Sequence, residues 1–308
     1  MRTIPLIACP VCGETEAEPV DLGGGEHRRC TQCGTVRVAA YGDPDEVFTD
    51  GYFDAGADTG IDVSHPRFQR ALADIGAARM EQIERVTGAR GRLLDVGCGT
   101  GEFPAAAQAR GWDVVGVELM DAAAARARER GLDVRTGLLS GAGLEPHGFG
   151  VVSALHVLEH LPDSSAFLHE LAGNAKPGGH VVIEVPNLDS ELRRRTLGGW
   201  MHLRPLEHLV QFTPATLRHA LGSSGLEVVS MTTPSWLLPE HTLDEALGAL
   251  GRPTWSRFLA PVSPTREVAG ARAKVPGPPA RAVLRATDRL YERRLRGMVV
   301  LAIARVPS

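Results

Sequence analysis

The chain has 308 residues and a formal net charge of −4, with 43% hydrophobic and 23% charged residues. These are globular proportions, with room for one large core plus a small satellite. The acidic balance argues against a general polyanion binder, since non-specific nucleic-acid affinity comes from neutralising phosphates. No apolar run approaches the ~18 residues that span a bilayer. Met1 to Pro10 holds one Arg and no stretch of signal-peptide length, so a cytoplasmic protein is expected.

Four of the five cysteines form two C-x2-C knuckles, Cys9-Pro-Val-Cys12-Gly and Cys30-Thr-Gln-Cys33-Gly, 17 residues apart. Two thiolates on each tight turn can share one tetrahedral ion, so the spacing predicts a zinc ribbon over 1–40 with a closed, structural Cys9/Cys12/Cys30/Cys33 shell. A redox pair is the competing reading, and disulfides suit a reducing compartment poorly. The next segment, 41–65, is polar and glycine-bearing, with Tyr52 and Phe53 embedded in it. It reads equally as a linker and as a lid over a ligand mouth.

A helical period runs from Pro66 to about Thr87, and Gly88 and Gly91 stop it. Strands and helices then alternate. Strands are expected near 92–96, 113–118, 133–136, 150–155, 180–185 and 226–231, and helices near 102–110, 121–130, 165–175 and 214–222. Such alternation calls for a parallel sheet covered on both faces, with ligands beyond the strands' C-terminal ends. A helical insertion at about 236–296 breaks the pattern before a last apolar strand, Met298 to Ala304. Inside it, 280–296 sets Val283, Leu284, Leu290, Tyr291 and Leu295 on one helical face and Arg281, Arg285, Arg289 and Arg293 on the other. That is either a solvated face packed on its own domain or a peripheral contact with a membrane surface or an acidic partner.

The first of those strands runs into Asp95-Val-Gly-Cys-Gly-Thr-Gly101, where Gly97, Gly99 and Gly101 remove each Cβ that would stand between backbone and ligand. The second strand ends on Glu118, at the spacing where a carboxylate takes two ribose hydroxyls. The G-x-G-x-x-G register of dinucleotide binders fails, because position 102 is Glu. A nucleoside without a pyrophosphate is therefore expected.

On these residues, with Gly116-Val-Glu118 and His156-Val-Leu-Glu-His-Leu-Pro-Asp163, the chain resembles the class I S-adenosylmethionine-dependent methyltransferases. Within them it is most similar to small-molecule methyltransferases with an N-terminal zinc ribbon. The likeness covers about 91–231 and extends to the last strand. It implies a doubly wound, mostly parallel seven-stranded α/β sheet over 66–308, behind the ribbon. It also implies that Gly97, Gly99 and Gly101 pass under the methionine moiety, that Asp95 holds the loop or the amino group, and that Glu118 binds the ribose. Leu119 or Met120 would flank the adenine. The family's acid after the third strand is missing from Thr136-Gly-Leu-Leu-Ser140, which leaves Leu138 and Leu139 as apolar walls.

Methyl transfer asks for alignment of nucleophile, carbon and sulfur, plus a base when the nucleophile is a hydroxyl. The likeness places His156 beside the methyl group. In the ubiquinone-type O-methyltransferases an acid stands at that position, and His156, Glu159 and His160 could instead hold a metal or brace the site. His208, in Pro205-Leu-Glu-His-Leu-Val-Gln-Phe212, is the leading general base, with Trp200 and His202 lining the acceptor pocket. Arg193 to Arg195, if turned inward with Arg204, would select an anionic acceptor. The expectation is methyl transfer to a small-molecule acceptor, a sugar or a natural-product intermediate of a bacterial secondary pathway. Oxygen is the expected target, with carbon and nitrogen open. An RNA methyltransferase gripping RNA by its ribbon and a non-catalytic scaffold are the alternatives. The acidic segment Glu14 to Gly25 argues against the first, and the intact glycine turn against the second. The sequence does not indicate an oligomeric state.

Overall fold

The computed structural model describes residues 2–49, 66–196, 200, 202–235 and 292–308. The insertion from 236 to 291, and Tyr52 and Phe53 of the linker or lid, lie outside the described residues. No helix among the described residues is long and apolar enough to cross a membrane.

The N-terminal module contains β1 (Thr3–Pro5), β2 (Ala17–Val20), β3 (His27–Cys30), β4 (Val36–Val38) and β5 (Ala40–Gly42), with β1 antiparallel to β5. A short helix, α1 (Pro44–Val47), follows, capped by the Asp43 side chain. The main domain then runs α2 (Pro66–Thr87), β6 (Arg92–Val96), α3 (Glu102–Gln108), β7 (Asp113–Glu118), α4 (Asp121–Glu129), β8 (Asp133–Thr136) and β9 (Phe149–Leu155). It continues with α5 (Ser164–Asn174), β10 (Ala175–Pro186), α6 (Glu191–Thr196), β11 (Val210–Gln211), α7 (Pro214–Ser223), β12 (Glu227–Thr232) and β13 (Val299–Arg305).

Seven strands form one sheet in the order β12-β13-β10-β9-β6-β7-β8. All neighbours from β10 to β8 pair in parallel, and β13 lies antiparallel to both β10 and β12. Strand residues alternate between two cores. Leu93, Val151, Val182 and Leu301 face Met80 and Ile83 of α2, while Leu94, Val152, Ile183 and Ala302 face the opposite cluster. A period of two with apolar residues on both faces is the signature of a sheet covered on both sides. The first three expected strands coincide with β6, β7 and β8. The fifth is longer than expected because its first residues pair with β9 ahead of an irregularity between Ala175 and His180.

Helix α2 is anchored by Glu84, which accepts from Arg110 Nε (3.1 Å) and Trp112 Nε1 (3.0 Å) and pairs with Arg90 (2.8 Å). The Arg110 hydrogen bond, ahead of the Trp112 one, holds the Glu84 carboxyl down to about 2 from an ordinary 4.5. Its contribution to stability is therefore complete above pH 4.5 and is lost as pH falls toward 2. Urea midpoints compared at pH 7 and pH 3 should show Glu84→Gln about 1 kcal/mol less sensitive to acid than the parent. Equal acid sensitivity would refute the anchor.

One strand was not expected. The two residues of β11 join the ribbon sheet, in the order β11-β4-β3-β2, with Val210 opposite Arg37 and Gln211 opposite Val36. Around it, Val38 N–H donates to the Leu209 carbonyl (2.9 Å), Gly42 N–H to Leu206 (3.0 Å) and Ser165 N–H to Pro10 (3.2 Å). Leu6, Cys9, Val11 and Val38 share one core with Leu209, Phe212 and Leu217. Ribbon and main domain are thus fused through side chains and backbone alike.

Candidate active site

The sheet reverses its order between β6 and β9, and the glycine turn sits at that switch. Gly97, Gly99 and Gly101 have φ of +71°, +54° and +87°, a region closed to most side chains. A Cβ on Gly97 would lie 2.4 Å from Val157 Cγ2, and one on Gly101 would lie 2.6 Å from Leu132 Cδ1. This corrects the sequence reading: at 97 and 101 the missing Cβ makes way for the protein's own side chains. Cys98 is a filler, its Sγ lying where a Cβ on Gly116 would come within 2.7 Å.

Glu118, 4% exposed at the end of β7, accepts Gly99 N–H on Oε2 (2.8 Å) and Met120 N–H on Oε1 (2.9 Å). Its carboxylate locks the turn to the strand, with lone pairs left over for a diol. Asp95 is buried one strand position before the turn and accepts from Ser153 Oγ (2.6 Å). Burial lifts its pKa to about 7, against the pull of Ser153. Leu119 and Leu138 stand 52% and 66% exposed at the ends of β7 and β8, whereas Leu139 is buried in the main core. Leu138 therefore offers the apolar wall and Leu139 does not. A positive-φ turn, a buried acid and two bare leucines at one sheet edge fit a nucleoside carrying an amino acid.

His156 opens the second half of the crevice. Its φ is +58°, a strained value for a side-chain-bearing residue. Its N–H donates to the Glu184 carbonyl (2.8 Å), and its ring sits between Glu184 Oε1 (3.0 Å from Nε2) and Glu159 Oε1 (3.3 Å from Nδ1). Arg79 of α2 donates to both carboxylate oxygens of Glu184, sharing Oε1 with His156. Burial opposes charge on the ring, but the two carboxylates outweigh it and raise its pKa to about 9. His156 is an imidazolium near neutrality, with both nitrogens engaged, and cannot act as a base there.

Two more imidazoles continue the row. His202 stacks on His156 with centroids 6.2 Å apart, and His208 stacks on His202 at 6.0 Å. Burial, then the charge on His156, lowers His202 to about 3; burial, then the neighbouring His160, lowers His208 well below its ordinary value. Both rings are neutral at pH 7. His208, 6% exposed, spends Nδ1–H on the His202 carbonyl (2.8 Å) and packs edge-on against His160. This corrects the expectation for His208: its ring faces inward and not toward an acceptor. Trp200 is likewise buried, against Leu22, Val36 and Leu188, and supports the pocket from behind. Arg204 is held by Glu207 (2.8 Å) rather than turned toward Arg193 and Arg194.

Two clusters could hold a metal. Glu159 is 1% exposed; its Oε1 is paired with His156 only as an ion pair at 3.3 Å, and its Oε2 has no hydrogen-bonded donor. Ligand atoms of Glu159, His160 and His208 lie within 4.8 Å of one another. His160 and His208 each donate Nδ1–H to a carbonyl (Glu207 and His202), leaving Nε2 as the lone-pair nitrogen. The donor set differs from the one read in sequence: His208 replaces His156, whose nitrogens serve carboxylates. In the ribbon, Cys9, Cys12, Cys30 and Cys33 are all free thiols. Cys9 and Cys33 Sγ lie 3.6 Å apart, and Cys12 Sγ lies 3.5 Å from both Cys30 and Cys33. Four sulfurs at Zn–S bonds of about 2.3 Å would sit about 3.8 Å apart in a tetrahedron, so the set fits zinc.

Residues 54–231 match a family described as a methyltransferase domain. A ubiquinone biosynthesis O-methyltransferase from Azoarcus sp. (strain BH72) is 31% identical over 177 residues, 53% of this chain and 76% of that protein. Its counterpart from Pseudomonas entomophila (strain L48) is 36% identical over 126 residues, 38% of this chain and 54% of that one, so the match spans about half the second relative. A solved SAM dependent methyltransferase from Archaeoglobus fulgidus aligns at TM-score 0.49 and 20% identity, over 76% of this chain and 94% of that one. With more than half its length inside the methyltransferase domain family, the chain belongs to that family and is a class I S-adenosylmethionine-dependent methyltransferase.

Proposed function

We propose that the protein methylates a hydroxyl of a small-molecule acceptor, a sugar or natural-product intermediate, and that zinc closes its four-cysteine ribbon as a structural ion. One observation carries the reading: Val157 packs against Gly97, so the cofactor turn and the imidazole row begun by the adjacent His156 form one crevice. Gly97 to Gly101, Glu118, Leu119 and Leu138 would hold S-adenosylmethionine, which when bound supplies an electrophilic methyl group. Asp95 supports the turn from below. Fixing the acceptor beside it supplies roughly 7–11 kcal/mol of orientation. Oxygen as the target is supported by the O-methyltransferase relatives and by a neutral, half-buried imidazole at the opening.

That imidazole is His202, which stays neutral and accepts a hydrogen bond from the acceptor hydroxyl, orienting it toward the methyl group. His156 positions it by stacking, and His208 holds its backbone carbonyl. The RNA reading is disfavoured by the ribbon's cations: Arg37 is buried and donates to the Leu6 carbonyl (2.6 Å), and Arg28 pairs with Glu26 (2.5 Å). Release of S-adenosylhomocysteine over a panel of phenolic and sugar hydroxyls tests the activity. With an active acceptor, His202→Ala should lower kcat/KM about tenfold through lost orientation and leave cofactor affinity unchanged. A near-parental kcat/KM would remove His202 from the acceptor site.

A further inference from the structure

Beyond the crevice, the same sheet edge carries a basic groove of about 470 Å³. Arg194 comes from α6, Arg218 from α7, and Arg294 and Arg296 from the turn before β13, with Asp189 and Met231 between them. Four cations from three separate elements converge in a chain of net charge −4. A solvated helix face would line them along one element instead. Arg296 pairs with Glu191 at 3.5 Å, and Arg218 reaches only the Met231 sulfur at 3.8 Å. Arg194, Arg218 and Arg294 have no carboxylate partner among the described residues.

The groove is held open by its frame. Asn187, just past β10, donates Nδ2–H to the carbonyls of Leu295 (3.2 Å) and Gly297 (2.8 Å), pinning the arginine turn to the strand end. Leu295 adopts φ +54° within that turn. Mutual repulsion of unpaired guanidiniums in a fixed frame is relieved by a multivalent anion, and the planar fork of Arg suits phosphate oxygens. The volume is that of a small-molecule subsite, which suits a phosphate or diphosphate group better than a polymer. Glu184, which touches His156, precedes Asp189 by five residues, at most about 18 Å of extended chain. One molecule can therefore reach from the groove to the imidazole row.

We infer that this groove is an anion subsite that seats a phosphate or diphosphate group of the acceptor. This rests on the methyltransferase reading and adds the acceptor's chemical class to it. Inorganic pyrophosphate titrated into the full chain should bind, and the Arg218→Ala/Arg294→Ala double variant should weaken that binding about tenfold or more with S-adenosylmethionine affinity unchanged. Circular dichroism of the variant confirms that it is folded, and Arg218→Lys/Arg294→Lys should restore part of the affinity. Failure of the parent to bind S-adenosylmethionine would strike the methyltransferase reading. Normal cofactor binding with no pyrophosphate binding, or binding indifferent to both arginines, overturns the subsite alone. Arginine-dependent retention on phosphatidylglycerol vesicles without pyrophosphate binding would assign the groove to lipid headgroups and also overturn it.

Discussion

Removing the zinc proposed at Cys9, Cys12, Cys30 and Cys33 should unfold the ribbon and loosen residues 202–212, while S-adenosylmethionine still binds. Structural zinc contributes on the order of 10 kcal/mol or more to modules of this size, more than the ribbon's few apolar side chains can replace. The loss propagates because β4 is the only strand partner of β11 among the described residues, and Val38 and Gly42 supply two further hydrogen bonds to Leu209 and Leu206. Release of that edge frees Glu207, whose carbonyl accepts the His160 Nδ1–H hydrogen bond, and disturbs His202 and His208. Among the described residues, the turn at Gly97 to Gly101 and Glu118 makes no hydrogen bond to the ribbon. A chromophoric chelator would follow metal release, hydrogen exchange would follow 206–211, and calorimetry would follow cofactor binding. Undiminished protection at 206–211 in the stripped protein, or protein isolated without metal, would sink the coupling. Cys12→Ser should reproduce the stripped state.

Glu118→Ala should cost two to three orders of magnitude in cofactor affinity. The carboxylate makes charge-assisted hydrogen bonds to Gly99 N–H and Met120 N–H, and would hold the ribose through its remaining lone pairs. Charged hydrogen bonds contribute about 1.5–3 kcal/mol each, and the alanine variant loses both ribose contacts along with the lock on the turn. The melting temperature should fall as well, because two backbone donors lose their acceptor. Glu118→Gln keeps the shape and one acceptor oxygen, and should recover part of the stability and little of the affinity. Calorimetric affinities of Glu118→Ala within threefold of the parent would refute the assignment.

The sheet was legible because β6, β7, β9 and the second half of β10 are apolar on both faces, and because β6 runs into a glycine and β7 ends on an acid, all local signals. The ribbon's cysteines were legible for the same reason. The docking of ribbon on domain was not, since Val210 and Gln211 carry no periodicity and their partners lie 173 and 175 positions away. Which leucine faces solvent at 138–139 depends on a short helical turn at Leu139–Gly141 that only the packed chain reveals. His208 and Trp200 were recognised as site residues by their neighbourhood, but their burial follows from the ribbon covering them. The charge on His156 comes from Glu159, three positions on, and from Glu184, 28 positions later on the adjoining strand, and no spacing rule supplies the second pairing.

The pairing of β4 with β11 also sets a timetable. Ribosomes add about 5–20 residues per second, so β4 emerges roughly 9–35 s before its neighbour exists. For that interval the nascent ribbon exposes an unfinished edge, the kind of surface on which strands from other chains assemble. Charged residues on the adjacent strand, Arg28 and Arg29, stand where gatekeepers against such misassembly would be needed.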